Sequence, residues 1–240
     1  MIELGPGNGE KLATLLGASG CSAMNVHLVD VSPDALITAV RALRPSRLRS
    51  LVAHQATYED GLAQALCDSE PASRSLVLFL GSNIGNFDPP GVDAFLHGVR
   101  AVLRSGDLLL LGADLVKPAQ EMLLAYDDPL GVTAAFNRNL LVRSNRELAS
   151  NFDLSGFSHQ AVWNATESRI EMHLVSSRAQ IVRVPAARLE ISFEAGDTIW
   201  TESSYKFRPQ NVRNFLDRAG FAVLDQWIAD GFALTLGAAR

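Results

Sequence analysis

The sequence contains little cysteine, few aromatic residues and no long hydrophobic run. Its two cysteines, Cys21 and Cys67, are too few for a disulfide framework or a thiolate metal site, and they suit a reducing cytoplasm. The most apolar stretches, such as Ser75–Leu80 and Asp107–Leu111, are far shorter than the roughly 20 residues that span a bilayer. No signal peptide or membrane anchor is expected.

Positive charge is also scarce. The 240 residues include 21 Lys and Arg against 26 Asp and Glu, a formal net charge of -5, and no run of Lys or Arg exceeds two residues. The electrostatic pattern of a nucleic-acid-binding protein is therefore missing. With 48% hydrophobic and 20% charged residues, the chain can bury a full core. We expect a globular cytoplasmic monomer that acts on a small molecule, without nucleic-acid or membrane partners.

Short apolar segments alternate with amphipathic segments over residues 1–113. Strands are predicted at Ile2–Leu4, Asn25–Val31, Leu48–Ala53, Leu76–Leu80 and Asp107–Ala113. Helices are predicted at Glu10–Leu16, Asp34–Leu43, Tyr58–Leu66 and Gly91–Leu103. Such alternation favours right-handed crossovers, so the predicted fold class is α/β, with a doubly wound, mostly parallel, Rossmann-like sheet.

The alternation stops after Asp114. Helices are predicted at Pro118–Tyr126 and Val132–Ala149, followed by a meander of antiparallel strands at Phe157–Asn164, Arg169–Val175, Ala179–Val184 and Leu189–Phe193, and a further strand at Thr198–Tyr205. The chain then returns to a helix, Pro209–Ala219, and a hairpin of Ala222–Ile228 and Phe232–Leu236 around Asp230-Gly231. These patterns predict a principal domain of residues 1–113 and 206–240 with an inserted α+β substrate lobe, residues 114–205.

A glycine-rich loop, Gly5-Pro6-Gly7-Asn8-Gly9, connects the first predicted strand to the first helix. Glycines let the backbone approach a ligand, and the helix N-terminus points N–H groups at it; a tight turn without a ligand is the alternative. Asp30 ends the second strand, where a carboxylate can accept hydrogen bonds from both ribose hydroxyls or simply be exposed. Together they indicate a nucleoside cofactor, held either by a dinucleotide fold or by a methyltransferase.

The end of the chain separates these two possibilities. Ala219-Gly220-Phe221 followed by two antiparallel strands resembles the ending of class I S-adenosylmethionine (SAM)-dependent methyltransferases. In those enzymes a Glu-x-Gly-x-Gly loop holds the amino-acid end of SAM, and Glu3, Gly5 and Gly7 match it. A carboxylate suits the cationic ammonium and sulfonium of SAM, whereas it is unfavourable beside a pyrophosphate. The methyl donor is therefore favoured over a dinucleotide.

A more specific resemblance rests on five segments in order. They are Phe79–Asn86, Tyr126–Asp128, Gly131–Asn139, Ile170–Leu174 and Thr201–Phe207. Together they resemble the histidine Nα-methyltransferases of ergothioneine biosynthesis. Fungal enzymes that methylate the amine of tryptophan-derived substrates belong to the same wider family, so the substrate has to be argued from the pocket residues.

The resemblance implies a role for each pocket residue. Asn86 and Tyr126, the catalytic positions, hold the amine and carboxylate of the amino acid, and Met172, Glu202 and Ser204 coincide with the family's histidine side-chain pocket. Glu202 and Ser204 lie two apart on a predicted strand, so they share a face; Glu202 can accept an imidazole N–H. The alternatives are core packing for Tyr126 and Met172, an exposed strand face for the two polar residues, and a local turn for Asn86.

The implied reaction is transfer of methyl groups from SAM to the α-amine of L-histidine, up to the trimethylated betaine hercynine. All three side-chain pocket residues are present, which favours histidine over tryptophan because an indole would leave Glu202 unmatched. The histidines show no metal-ligand spacing, so no metal is predicted. No set of Ser, His and acidic residues suggests a nucleophile, so no covalent intermediate is predicted. A methyltransferase for another amino acid or amine, and a truncated noncatalytic cofactor-binding protein, are the alternatives.

Two features depart from the family's pattern. Family members have a region before the glycine loop that helps to close the substrate pocket, whereas this chain begins four residues before Gly5, so we expect its start to be incomplete. At the adenine site, Thr57 and Tyr58 stand where the family has an acidic residue followed by an aromatic one. Tyr58 can still stack on the base, but Thr57 is a weaker acceptor, which predicts reduced cofactor affinity.

Overall fold

The structure, a computed structural model, describes residues 1–19, 24–44, 46, 48–68 and 73–240. Cys21 lies outside the described residues, and Cys67 is exposed. The chain divides into two compact units, Met1–Leu115 with Phe207–Arg240, and Val116–Lys206. We call the first the sheet unit and the second the lobe. Among the described residues, no helix has the length and apolarity needed to cross a membrane.

The elements follow one another along the chain as helices and strands with short connections. The helices are α1 (Glu10–Ser19), α2 (Pro33–Leu43), α3 (Tyr58–Cys67), α4 (Pro89–Val102), α5 (Ala119–Tyr126), α6 (Val132–Glu147) and α7 (Pro209–Arg218). The strands are β1 (Ile2–Leu4), β2 (Met24–Asp30), β3 (Leu48–Gln55), β4 (Leu76–Phe79), β5 (Leu108–Asp114), β6 (Phe157–Asn164), β7 (Arg169–Ser176), β8 (Gln180–Val184), β9 (Leu189–Phe193), β10 (Thr198–Tyr205), β11 (Phe221–Ala229) and β12 (Phe232–Ala239).

The sheet unit contains seven strands in the order β11-β12-β5-β4-β1-β2-β3. Strands β1 to β5 are parallel, whereas β12 is antiparallel to both β5 and β11. The predicted α/β, doubly wound sheet is therefore confirmed, with the expected hairpin at its end. Chain order reverses between β1 and β4, so the loops that follow these two strands meet at a switch point, where ligands bind in open α/β sheets.

Side-chain size decides how closely the helices approach the sheet. On one face, leucines of α1 and α2 such as Leu12 and Leu36 pack with Val26 and Leu28 of β2. On the other face α3 comes close enough that a Cβ at Gly61 would lie 2.2 Å from a methyl carbon of Val29. Only glycine fits there, and this close approach sets the position of α3 beside β2 and β3.

The strand pairing in the lobe differs from the sequence prediction. Its strands do not form a single meander, because β7 pairs with β6 and β10, while β8 and β9 form a separate two-stranded sheet. After β9 the chain turns at Gly196, whose φ is 96°, and Gly196 and Asp197 exchange backbone hydrogen bonds with Ser176 at the end of β7. This return carries β10 to the free edge of β7. Helix α6 also ends at Glu147 rather than at Ala149.

Candidate active site

The glycine loop between β1 and α1 is tightly packed at its ends and open in its middle. Gly5, Gly7 and Gly9 have positive φ values of 68°, 56° and 78°. A Cβ at Gly9 would lie 2.8 Å from the Cα of Ala39, whereas a Cβ at Gly7 would meet nothing within 4 Å. The backbone at Gly7 therefore faces open space that a ligand can occupy.

Glu3 lies on β1, two residues before Gly5, and is only 1% exposed. Its Oε2 atom has no hydrogen-bond partner among the described residues. Burial raises the pKa of the carboxyl group to about 7, although the Lys11 ammonium opposes the shift. A buried carboxylate oxygen without a hydrogen-bond partner is energetically unfavourable, so a bound cationic group would supply the missing hydrogen-bond donor and the compensating charge.

Asp30 and Tyr58 both lie near the glycine loop. Asp30, at the end of β2, accepts a hydrogen bond from the backbone N–H of Ser32 at 2.9 Å. The Tyr58 hydroxyl lies 3.0 Å from where a Cβ of Gly5 would be, and its ring packs edge-on against Phe79. Burial, with smaller contributions from Asp30 and Glu59, raises the pKa of Tyr58. The structure thus brings Gly5, Asp30 and Tyr58 together.

Thr57 has a local role that the sequence did not reveal. It is the N-cap of α3: its hydroxyl accepts from the Asp60 N–H at 3.2 Å and donates to the Asp60 carboxylate at 3.1 Å. This cap fixes the first turn of the helix that carries Tyr58. The hydroxyl is engaged within the helix, so Thr57 supports the position of Tyr58.

The loop after β4 adds two amides to the site. Gly81 and Ser82 have φ values of 73° and 64°, and Asn83–Asn86 then form one 3₁₀ turn. The Asn83 amide nitrogen lies 2.7 Å from where a Cβ of Gly5 would be, so it faces the glycine loop. Asn86 is exposed, and no hydrogen bond involves its side chain in the described part of the chain. The sequence analysis identified Asn86 but missed Asn83.

In the lobe, three polar side chains form a hydrogen-bonded cluster. The Tyr126 hydroxyl donates to Ser204 Oγ at 2.7 Å, and the ammonium of Lys206 lies 2.7 Å from the Tyr126 hydroxyl and 3.0 Å from Ser204 Oγ. Lys206 is 3% exposed and its Nζ also lies 4.7 Å from the centre of the Tyr126 ring. The sequence predicted Tyr126 and Ser204, but it did not predict that a buried cation joins them.

Met172 and Glu202 extend this cluster across two strands. They are direct register partners on β7 and β10, just after a bulge between Trp200 and Glu202, and Ser204 is two residues further along β10. Met172, Glu202 and Ser204 therefore share one face. Burial raises the pKa of Glu202, and the positive charge of Lys206 opposes this shift. The face combines an apolar thioether, a carboxylate that prefers a charged or N–H-bearing partner, and two hydroxyls.

The end of α5 that carries Tyr126 is held by a hydrogen bond from a histidine of strand β6. His159 on β6 bonds through Nε2 to the backbone carbonyl of Tyr126 at 2.8 Å, and its Nδ1 lies 2.9 Å from the Asn137 amide. Two residues later, Asp128 accepts from the N–H groups of Val132 and Thr133, which lowers its pKa to about 2. The segment from Tyr126 to Asp128 thus joins α5 to α6 and positions the tyrosine hydroxyl.

Comparison with known proteins identifies relatives over the whole described chain. Residues 1–239 match the model of a family described as histidine-specific methyltransferase, SAM-dependent. The chain is 42% identical over 240 residues to histidine N-alpha-methyltransferase of Mycobacterium tuberculosis, covering 99% of this chain and 74% of that protein. It is 26% identical over 244 residues to ergothioneine biosynthesis protein 1 of Schizosaccharomyces pombe, covering 95% of this chain and 30% of that protein.

A solved structure shares the fold. It is a SAM-dependent methyltransferase from Clostridium acetobutylicum, with a TM-score of 0.51 and 12% identity, covering 99% of this chain and 82% of that one. At this identity the likeness concerns the fold alone.

Proposed function

The chain belongs to the SAM-dependent, histidine-specific methyltransferases, and from this premise we propose which residues carry out each part of the reaction. It transfers methyl groups from SAM to the α-amine of histidine. We propose that the sheet unit binds SAM and that the lobe binds the histidine side chain. We also propose that transfer continues to the trimethylated betaine hercynine, within the ergothioneine pathway for which the Schizosaccharomyces pombe relative is named.

The SAM assignment rests on the unpartnered carboxylate oxygen of Glu3. When bound, SAM supplies an electrophilic methyl group attached to a sulfonium. Glu3 would accept hydrogen bonds from its ammonium, and the open backbone at Gly7 leaves room for its amino-acid end. Asp30 would bind the ribose hydroxyls, while Tyr58 would contact the adenine ring. Gly5 keeps the loop backbone close to Tyr58, and Thr57 acts indirectly through its helix cap.

The observation that carries the histidine assignment is the face of β7 and β10. Glu202 is half-buried with a raised pKa, so an imidazole that donates an N–H or carries a proton would stabilise its charged form. Met172 would provide an apolar wall for a small ring. The Ser204 oxygen already accepts from Tyr126 and Lys206, so Ser204 can donate its O–H at the ring edge. An indole offers one N–H and no positive charge, so it would satisfy this carboxylate less well.

The amino-acid end of the substrate needs a different environment. Lys206 holds the hydroxyl groups of Tyr126 and Ser204 and brings a positive charge to them, which suits a carboxylate. The exposed amide of Asn86 can accept from an amine N–H through its oxygen and donate through its NH2 group. Because each methylation removes one N–H from the amine, an amide without a competing partner tolerates the changing substrate. Orientation of aligned reactants can contribute roughly 7–11 kcal/mol to such a transfer.

The reaction needs only a neutral amine, and proton loss to water is sufficient, so we assign no general base. We propose that the enzyme acts as a cytoplasmic monomer on free histidine. The small-molecule character of the substrate follows from the family.

Initial rates with histidine, tryptophan and tyrosine test the substrate assignment. We expect histidine to be preferred, and Glu202→Ala to lose most of the histidine rate while binding S-adenosylhomocysteine normally. Glu190→Ala is the matched control, because Glu190 is an exposed carboxylate on another strand of the lobe, paired with Arg183. Preference for tryptophan in the wild type, or unchanged histidine turnover in Glu202→Ala, would overturn the assignment.

A further inference from the structure

Two histidines and one aspartate meet in the sheet unit on the face covered by α3. His27 lies on β2 and His54 on β3, and the strand register places His27 opposite Val52 and His54 opposite Val29. The two imidazoles are thus diagonal neighbours on adjacent parallel strands. They are 5% and 8% exposed, and their rings stack with centroids 5.2 Å apart. Asp68 is exposed at the C-cap of α3.

The three side chains converge on one point. Each offers one possible ligand atom, and these atoms all lie within 4.8 Å of one another. His27 Nδ1 and His54 Nε2 are 2.9 Å apart. Two nitrogens at this separation can both bond to one ion at distances of roughly 2.0–2.1 Å, with an angle of about 90° between the bonds. That angle suits square-planar or octahedral coordination, and a small side-chain rotation would give a tetrahedral site.

The side chain of Gln64 orients one of the two imidazoles for metal binding. The Gln64 side-chain oxygen lies 3.3 Å from His54 Nδ1, so it can accept a hydrogen bond from the Nδ1–H, which leaves the Nε2 lone pair directed at His27. Metal-bound histidines commonly have such an outer hydrogen bond.

We propose that His27, His54 and Asp68 bind a divalent late transition-metal ion through two imidazole nitrogens and one carboxylate oxygen, with water completing the coordination. Mixed imidazole and carboxylate donors suit Zn²⁺, Ni²⁺ or Cu²⁺ rather than Mg²⁺ or Ca²⁺. The ion replaces the hydrogen bond between the two rings. It links β2, the edge strand β3 and the end of α3, and thereby stabilises this side of the sheet.

This site uses side chains other than those assigned to methyl transfer. Asp30 lies three residues after His27 on the same strand, so its side chain points to the opposite face of the sheet. A metal at His27 therefore does not require contact with the proposed ribose ligand. Its expected effect is on stability rather than on the chemical step.

Calorimetric titration of the metal-stripped chain, without a histidine tag, with Zn²⁺ tests the proposal. We expect one equivalent to bind and the melting temperature to rise with Zn²⁺ concentration. Asp68→Asn, a substitution at an exposed position that should not disturb folding, and His54→Gln should each weaken binding by about tenfold or more. Co²⁺ in place of Zn²⁺ should give a visible absorption band that both variants reduce.

His97→Gln is the matched control, since His97 is exposed on α4 and bonds to the Asp93 carbonyl in its own helix. It should bind Zn²⁺ as the wild type does. The absence of saturable Zn²⁺ binding in the wild type would overturn the proposal, as would equal binding by the wild type, Asp68→Asn and His54→Gln.

Discussion

Replacing Glu3 by glutamine should abolish a pH dependence of cofactor binding that the buried carboxylate creates. In the ligand-free protein, burial raises the pKa of Glu3 from 4.5 to about 7. The proposed contact with the cofactor's ammonium requires the ionised carboxylate. Cofactor binding therefore requires Glu3 to lose its proton, and the affinity for the cofactor falls as the pH drops below the pKa of Glu3 in the ligand-free protein.

The magnitude follows from that pKa. At about 1.36 kcal/mol per pH unit, this rise in pKa means that the folded protein disfavours the charged carboxylate of Glu3 by roughly 3 kcal/mol relative to water. If only ionised Glu3 binds, the dissociation constant rises by about tenfold between about pH 8 and about pH 6. Glutamine cannot ionise, so the variant should bind more weakly at high pH but with a nearly constant affinity across this range.

The assay is calorimetric titration with S-adenosylhomocysteine, which retains the ammonium and cannot be turned over. Glu10→Gln is the control, because Glu10 is an exposed carboxylate at the start of α1, close in sequence to the same loop. Its pH dependence should match that of the wild type. Equal pH dependence in wild type and Glu3→Gln would show that Glu3 is not the titrating ligand, and the ammonium contact would have to be abandoned.

Three further predictions concern stability and the polar cluster of the lobe. Because the pKa of Glu3 is raised in the folded protein, protonated Glu3 contributes to the stability of the ligand-free protein below about pH 4.5, and this contribution is lost as the pH rises through about 7. The difference in melting temperature between Glu3→Gln and the wild type should therefore be more favourable to the variant at pH 8 than at pH 5. Gly5→Ala should destabilise the protein more than Gly7→Ala. Both glycines have positive φ, but a Cβ at Gly5 would lie 2.7 Å from the Asn83 amide nitrogen, whereas a Cβ at Gly7 would meet nothing within 4 Å. Gly7→Ala should fold with a loss of about 1–2 kcal/mol of unfolding free energy, and it should bind S-adenosylhomocysteine poorly. Equal melting temperatures for the two alanine variants would contradict the packing described. Lys206→Met should lower kcat/KM for histidine at least about tenfold, because it removes the cation from the hydroxyl cluster. A normal S-adenosylhomocysteine affinity of the variant would show that the sheet unit is intact. An unchanged kcat/KM would show that Lys206 does not contribute to the site.

The sequence predicted those parts of the fold that depend on local patterns. The amphipathic pattern predicted a helix at Asp34–Leu43, and α2 begins one residue earlier, at Pro33, where the Ser32 side chain accepts a hydrogen bond from the Ala35 N–H. Asp230-Gly231 indicated the final hairpin, and both residues have the positive φ that such a turn needs. Each of these signals lies within a few neighbouring residues.

The features that the sequence did not predict depend on distant residues. Pairing of β10 with β7 depends on where the chain returns after the β8-β9 hairpin, which no local pattern encodes. Lys206 follows a strand and would be expected in solvent, yet it is buried and donates hydrogen bonds to Tyr126 and Ser204. His27 and His54 have no ligand spacing along the chain and meet only because of the register between two parallel strands.

The most direct test of the central claim is the structure of the product formed when the chain is incubated with SAM and L-histidine. Mass spectrometry and NMR should show methyl groups on the α-nitrogen alone, ending at the trimethylated betaine, with one S-adenosylhomocysteine released for each methyl group. Methylation of an imidazole nitrogen, or S-adenosylhomocysteine release that does not depend on histidine, would contradict the account.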